Sequence, residues 1–332
     1  MTDRQRLREF PATAQASAAI VIGNVHIDRQ DFEAMRHLAV VATTPQPLAH
    51  IEELWARGIP VIDGVRGWSQ ARAELALALI LTSLRQLAFW QKTAVTTHPA
   101  ILFRSVDRGA DSKLFVSGVL RDKNVCVIGG GFTGYKIAEL CAAFGAYVWV
   151  VDPNAKSTEL AEELGAEIID VDEVPLTADI MVVAEPNHPA HRPFVTADTV
   201  DALRNGTLVV TVTSTLGIDI TALRKRVCRD ELMWATDVLE FERIIDHDPI
   251  LQRHNVIALP SIGRRTRDAD HELADAMIES VMLVLDGGSP LAWDLITPGT
   301  PLPRVDSPSG THLLIASAVS EEVDSGLLND RY

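Results

Sequence analysis

Gly129, Gly131 and Gly134 keep a Gly-x-Gly-x-x-Gly spacing, and Asp152 stands eighteen residues after the last of them. Residues of these types can cradle a dinucleotide. Gly129 permits a tight turn, Gly131 lets the backbone approach a pyrophosphate, and Gly134 lets a helix pack closely on a strand. The helix start, where Phe132 and Thr133 sit, presents N–H groups and a partial positive charge to phosphate oxygens. Asp152 can accept hydrogen bonds from adenosine ribose hydroxyls. Its carboxylate would repel a 2′-phosphate, so the pattern favours NAD over NADP.

The spacing has this meaning only if strand, turn, helix and strand hold it in place. Residues 125–128 form a short apolar run that reads as a buried strand. Ile137, Ala138, Cys141 and Ala142 then recur at helical spacing, and a second apolar run over 147–151 ends at Asp152. Strand-like and helix-like runs alternate along the rest of the chain, which predicts α/β architecture. Strands are expected at 18–22, 38–42 and 59–62, with short helices at 28–36 and 50–57. Residues 71–90 read as one long helix with an alanine/leucine face, and 91–118 as an irregular crossing into a second domain. Further strands are expected at 167–170, 179–184, 207–212, 232–236 and 256–259; with the two of the fingerprint they make seven, close to a complete dinucleotide-binding sheet. A helix over 268–285 is stopped by Gly287-Gly288. The tail, 297–332, holds prolines and then an apolar strip at 312–319; a docked strand, an oligomer contact and plain surface coverage all fit it.

Length and composition bound the function classes. The chain has 332 residues, enough for two domains, with 47% hydrophobic and 23% charged residues. A net charge of −15 argues against nonspecific binding to nucleic acid or an anionic membrane. Cys126, Cys141 and Cys228 show no CxxC or Cys/His ligand spacing, so no metal site is expected. Thiols in a predicted strand and helix suit a reducing, cytoplasmic setting. The first residues, MTDRQRLREFPATAQ, lack the apolar core of a signal peptide, and the longest apolar stretch, 75–81, is too short to span a bilayer.

From about residue 18 to 291 the pattern resembles the D-2-hydroxyacid dehydrogenase family. The markers run in order: GIPVID at 58–63, AELALALILTSLR at 73–85, LRDKNVCVIGGGFTG at 120–134, ADIMVVAEPNHPAHRPFV at 178–195, NGTLVVTVTSTLGIDITAL at 205–223, TDVLEFE at 236–242 and NVIALPSIG at 255–263. The resemblance implies a doubly wound parallel-sheet (Rossmann) NAD domain inserted in a smaller flavodoxin-like substrate domain. On that reading residues 1–95 and 269–299 form the substrate domain, 96–268 the NAD domain, and 300–332 a C-terminal extension. It also implies a homodimer and a small-molecule substrate. Asp237 matches the position that receives the nicotinamide carboxamide; capping a turn is the plainer alternative. Thr213, after Val212, ends its strand near the nicotinamide by the same resemblance.

The catalytic positions depart from the family. Its members use an arginine, a glutamate and a histidine: the arginine holds the substrate carboxylate and carbonyl, and the histidine moves the hydroxyl proton. In register these positions are Ser214, Glu242 and Ser261, so only the glutamate remains, five residues after Asp237. Arg243 follows it where the family usually has proline, and Phe132 stands where the family often has arginine. The substrate-side loop, usually glycine-rich, reads Thr43-Thr44-Pro45-Gln46-Pro47, and about one strand–helix unit is missing from the first domain. A positioned general acid–base is worth roughly 10²–10⁴ in rate, so ordinary keto-acid reduction is not expected. Two functions fit: an NAD-dependent oxidoreductase-type enzyme with altered chemistry on a non-standard substrate, as in specialised metabolism, with Glu242, Ser214 and Ser261 lining the pocket; or a catalytically inactive NAD-binding sensor, scaffold or regulatory subunit. Among other candidates, His188 and His191 read as surface residues and Arg264 and Arg265 as a solvated basic pair or an anion ligand. Arg66 and Arg72 are further possible anion ligands.

Overall fold

The structure, a computed structural model, describes residues 11–22, 29–43, 51–98, 111–152, 163–184, 193–238, 248–291, 294–296 and 312–314. In chain order the strands and α-helices are β1 (Ala18–Ile22), α1 (Arg29–Ala34), β2 (Val40–Thr43), α2 (Ile51–Ala56), β3 (Val61–Asp63), α3 (Ser69–Leu84), α4 (Leu87–Thr96), β4 (Asn124–Ile128), α5 (Phe132–Ala143), β5 (Tyr147–Val151), β6 (Glu167–Ile168), α6 (Val174–Thr177), β7 (Ile180–Val183), α7 (Ala197–Ala202), β8 (Leu208–Thr211), α8 (Ile220–Cys228), β9 (Met233–Thr236), β10 (Val256–Ala258), α9 (Arg267–Leu285) and β11 (His312–Leu314).

Seven strands join in one sheet in the order β10-β9-β8-β7-β4-β5-β6, every neighbouring pair parallel. The strands are runs of aliphatic residues because both faces are covered. Val125 and Val127 point to one core with α3 and α5, where Ala73, Ile80, Ile137 and Cys141 are buried. Cys126 and Ile128 point to the other, with Val200 of α7 and Leu223 and Val227 of α8. That alternation is the period of two of a pleated strand. The chain order reverses between β4 and β7, which opens a crevice beyond their carboxyl ends. Burial pushes the Cys126 and Cys141 thiols up to about 12, so neither is a nucleophile at neutral pH.

A second, four-stranded sheet has the order β11-β1-β2-β3. β1, β2 and β3 are parallel, as in a small doubly wound domain. β11 pairs antiparallel with β1, Val21 opposite Leu313, so part of the apolar strip in the tail is a docked strand.

The chain divides into two compact units: one takes in Gly64–Ala276, and the other includes Met1–Asp63 and Met277–Pro298. The boundaries read from the sequence, 95/96 and 268/269, thus shift to 63/64 and 276/277. The reason is α3, which places Ala73, Ala76, Leu79, Ile80 and Leu84 in the same core as β4. The single helix expected over 71–90 is two helices. Gln86 adopts a left-handed conformation, φ 53°, and the axes on either side meet at 58°. α3 buries its alanine/leucine face, whereas α4 buries none of its residues and runs on to Thr96 inside the stretch expected to be irregular. Among the described residues no single helix is long and apolar enough to cross a membrane.

Candidate functional site

All seven strands of the large sheet being parallel, their carboxyl ends form one edge. Gly129 follows β4, Asp152 follows β5, Ser214 comes three residues after β8, Asp237 directly follows β9, and Ser261 comes three residues after β10. Gly129, Asp152, Ser214, Asp237 and Ser261 therefore belong to loops on that edge, and Phe132, Thr133 and Gly134 to the helix start that follows one of them. Glu242, His188 and His191 lie outside the described residues, as do positions 44–47 of the first-domain loop.

The glycine turn has the geometry its chemistry requires. Gly129 has φ 96°, a conformation L side chains rarely adopt. A Cβ on Gly134 would overlap the Gly129 carbonyl, so α5 crosses β4 at backbone contact. Gly131 is the N-cap of α5, and a Cβ there would meet nothing within 4 Å. It has no side chain to take a first-turn N–H, whereas Thr196 and Asp219 cap α7 and α8 with their own oxygens. A helix start with no N-cap side chain, approached past a residue without a Cβ, is what a pyrophosphate needs. Asp152 Oδ2 accepts from the Gly130 amide at 2.5 Å, which fixes the carboxylate against the turn. These residues fit a dinucleotide. The Thr133 side chain is buried and its Oγ1 donates to Ser69 Oγ at 3.1 Å, so the side chain does not face the turn's open side.

The other end of the edge is built around Asp237. Only 4% exposed, it accepts from the Ile262 and Gly263 amides at 2.8 and 2.7 Å. It thereby clasps the two residues after Ser261. A Cβ on Gly263 would come within 2.8 Å of Asp237 Oδ2, so the glycine is required for the clasp. Behind it a buried chain joins the strand ends. Trp234 Nε1 donates to Thr211 Oγ1 at 3.2 Å, and that hydroxyl donates to Thr236 Oγ1 at 2.7 Å. Asp237 closes a turn at the carboxyl end of β9.

Burial raises the Asp237 carboxyl from its ordinary 3.8, against the lowering pull of the two amides, Arg72 and Arg265. Such a group favours the folded chain fully below about pH 3.8 and loses that contribution as pH rises through its folded value. Asparagine does not titrate. The stability of Asp237→Asn relative to wild type is therefore expected to improve as pH rises above about 4. Urea unfolding of both proteins from pH 4 to 7 checks this, and a difference that does not change with pH would refute it.

Neither serine is an ordinary surface residue. Ser261 is partly buried and has φ 56°, left-handed without being glycine, a conformation found at functional turns. Ser214 is partly buried, and its Oγ accepts from the Leu216 amide at 3.0 Å. Thr213 and Phe132 are also partly buried. Arg66 Nη2 donates to the Ala276 carbonyl at 3.3 Å, so it holds a helix. The pair at 264–265 separates: Arg265 is exposed, whereas Arg264 is partly buried over the Trp68 ring, 4.6 Å from its centroid. Trp68 is a residue the sequence reading did not single out. Its one signal is Arg72 four residues on, which brings that side chain onto the same helical face and within 5.3 Å of the ring centroid.

The model of the D-isomer specific 2-hydroxyacid dehydrogenase NAD-binding domain matches residues 77–263, more than half of the chain. D-3-phosphoglycerate dehydrogenase of Archaeoglobus fulgidus is 26% identical over 291 residues, covering 86% of this chain and 52% of that protein. The chain thus spans about half the length of the first curated relatives it matches. Among solved structures, apo D-mandelate dehydrogenase of Rhodotorula graminis superposes with a TM-score of 0.69 at 20% identity, covering 89% of each chain. D-lactate dehydrogenase of Aquifex aeolicus, complexed with NAD and lactic acid, has a TM-score of 0.61 at 18% identity and covers 86% of this chain and 87% of that one. NAD is the cofactor these findings support.

Proposed function

The chain belongs to the D-isomer-specific 2-hydroxyacid dehydrogenase family, and from that premise we propose that it is an NAD(H)-dependent oxidoreductase whose chemistry departs from the family's. The observation that carries this reading is the contrast along one sheet edge. The dinucleotide half keeps Gly129, Gly131, Gly134 and Asp152, with the helix packed tightly on the strand at Gly134 and Asp152 bonded to the turn. The reaction half keeps Asp237 and, in sequence, Glu242, but has Ser214 and Ser261 where the family has arginine and histidine.

Bound NAD supplies the capacity to give or take a hydride. The protein's part is to hold it and to handle substrate charge and protons. The amides at the start of α5 bind the pyrophosphate and Asp152 binds the adenosine ribose. Asp237, with further lone pairs beyond the two amides it accepts, receives the carboxamide. Ser214 and Ser261 offer hydroxyls to the substrate, but a serine hydroxyl is no general base near neutral pH. Glu242 is the remaining group able to take a proton. A substrate suited to such a site needs less proton transfer at the reacting oxygen than a 2-keto acid does.

The reading is tested by adding NADH to the purified protein and following its absorbance against panels of keto acids, imines and conjugated carbonyl compounds. Turnover of some panel member, with simple 2-keto acids inert, is expected. Asp152→Ala is expected to weaken NADH binding about tenfold or more, the loss of one charge-assisted acceptor. Tight NADH binding without turnover of any compound would favour a sensor or regulatory subunit, and unchanged affinity in D152A would remove the fingerprint argument.

A further inference from the structure

Arg264 is unlike the other partly or fully buried arginines of the large unit. Arg224 pairs with Asp248 at 2.6 Å, Arg253 with Asp230 at 2.6 Å, and Arg226 with Glu231 at 2.8 Å. Among the described residues the Arg264 guanidinium donates no hydrogen bond and makes no ion pair. Asp237 and Asp270 act on it only at longer range, and the Asp237 oxygens already face two amides. It lies over Trp68, which is 4% exposed and whose Nε1 also meets no acceptor among the described residues.

Arg265 repels it, while Asp270 and Asp237 attract it without touching it. Arg265 is adjacent, and Arg72 approaches the same indole at 5.3 Å from the centroid, so the two guanidinium carbons over Trp68 are no more than about 10 Å apart. Burial and then Arg265 lower the Arg264 pKa, although an arginine stays charged at any working pH. A desolvated cation with five N–H donors and no acceptor is costly. An oxyanion would supply the missing acceptor and relieve the repulsion. The ring contact restricts the side chain, and a planar guanidinium suits a two-pronged hydrogen bond to an oxyanion. The location is also informative: Arg264 sits in the Ile262–Arg265 turn, closed by a 2.9 Å hydrogen bond, immediately after Ser261 and the residues Asp237 clasps.

We propose that Arg264 binds an anionic oxygen group of the substrate, a carboxylate or a phosphate, and so takes over the clamping task that the family gives to arginine at the Ser214 position. This rests on the oxidoreductase reading for the word substrate, but the anion site itself can be measured separately.

Oxalate and inorganic phosphate are the probes, titrated calorimetrically into the full-length protein with and without saturating NADH. One of them is expected to bind, and its identity distinguishes the two anion classes. Arg264→Gln is expected to weaken that binding about tenfold or more, and Arg264→Lys, which keeps the charge but loses the fork, by less. Thermal melting of each variant reports that it is folded. Failure of the wild-type protein to bind either anion, or equal binding by R264Q, would overturn the proposal. Failure to bind NADH would instead sink the oxidoreductase reading and leave the anion result to judge the site.

Discussion

Alanine at Gly134 is expected to cost both stability and the cofactor, whereas alanine at Gly131 is expected to cost the cofactor alone. The two glycines belong to one motif but face different things. A Cβ at Gly134 would run into the Gly129 carbonyl, and its next neighbour would be the Gly129 carbonyl carbon at 2.9 Å. Both are backbone atoms, so no side chain can rotate away. Relief requires α5 to lift from β4, which disturbs Ile137, Ala138 and Cys141 in the core. Overpacking of this kind costs about 1–3 kcal/mol, and it also moves the helix start away from the pyrophosphate. A Cβ at Gly131 meets no protein atom within 4 Å, and the backbone there, φ −62° and ψ −177°, suits any residue. The extra methyl would occupy the path by which the phosphates reach the amides. Melting temperature and NADH fluorescence titration separate the two effects. G131A should melt at or slightly above wild type, since glycine replacement restrains the unfolded chain, yet bind NADH roughly tenfold to a hundredfold more weakly, the loss of one or two charge-assisted hydrogen bonds. G134A should lose both. Equal melting losses, or full NADH affinity in G131A, would mean that the turn does not face the cofactor.

The same two glycines illustrate what was legible in the sequence. Their spacing named the turn, and the flanking apolar runs placed β4, α5 and β5, because strand and helix periods are local properties of the chain. All seven strands of the large sheet were legible for that reason. The break at Arg85–Gln86 was not, because Gln86 takes a left-handed conformation that glycine or asparagine would have advertised. Nor was the unit boundary, since the composition of α3 does not say which sheet it covers. At the site, Asp237 was legible as a position but not as a clasp. Its partners are amides twenty-five and twenty-six residues away, and a backbone amide leaves no trace in residue type. Trp68 and Arg264 come together only in space, so the pair Arg264–Arg265 read as one surface feature when only Arg265 is one.

Arg226 gives the largest expected change in stability. The residue is 5% exposed, and all three guanidinium nitrogens donate hydrogen bonds. Nη1 donates to the Val200 and Leu203 carbonyls at 2.8 and 2.7 Å and to Asp201 at 3.3 Å. Nη2 donates to Asn205 Oδ1 at 2.6 Å, and Nε to Glu231 at 2.8 Å. The carbonyls end α7, where a helix leaves its last acceptors unmet, so one side chain of α8 completes the neighbouring helix. Arg226→Ala would leave those buried carbonyls and the partly exposed Glu231 carboxylate without their donor, which costs about 3–5 kcal/mol by analogy with a buried charge network broken from one side. For a unit of this size that is a fall in melting temperature of roughly 6–20 °C. Arg226→Lys restores the charge but not the planar fork, so it should recover only part of the loss. The effect should reach the site as well, because α8 begins at the end of the loop that carries Ser214: loosening α8 lets that loop move relative to β8. A fall of less than about 1 kcal/mol in R226A, the size of a surface ion pair, would show that water replaces the guanidinium and that α7 and α8 are held by their apolar faces alone.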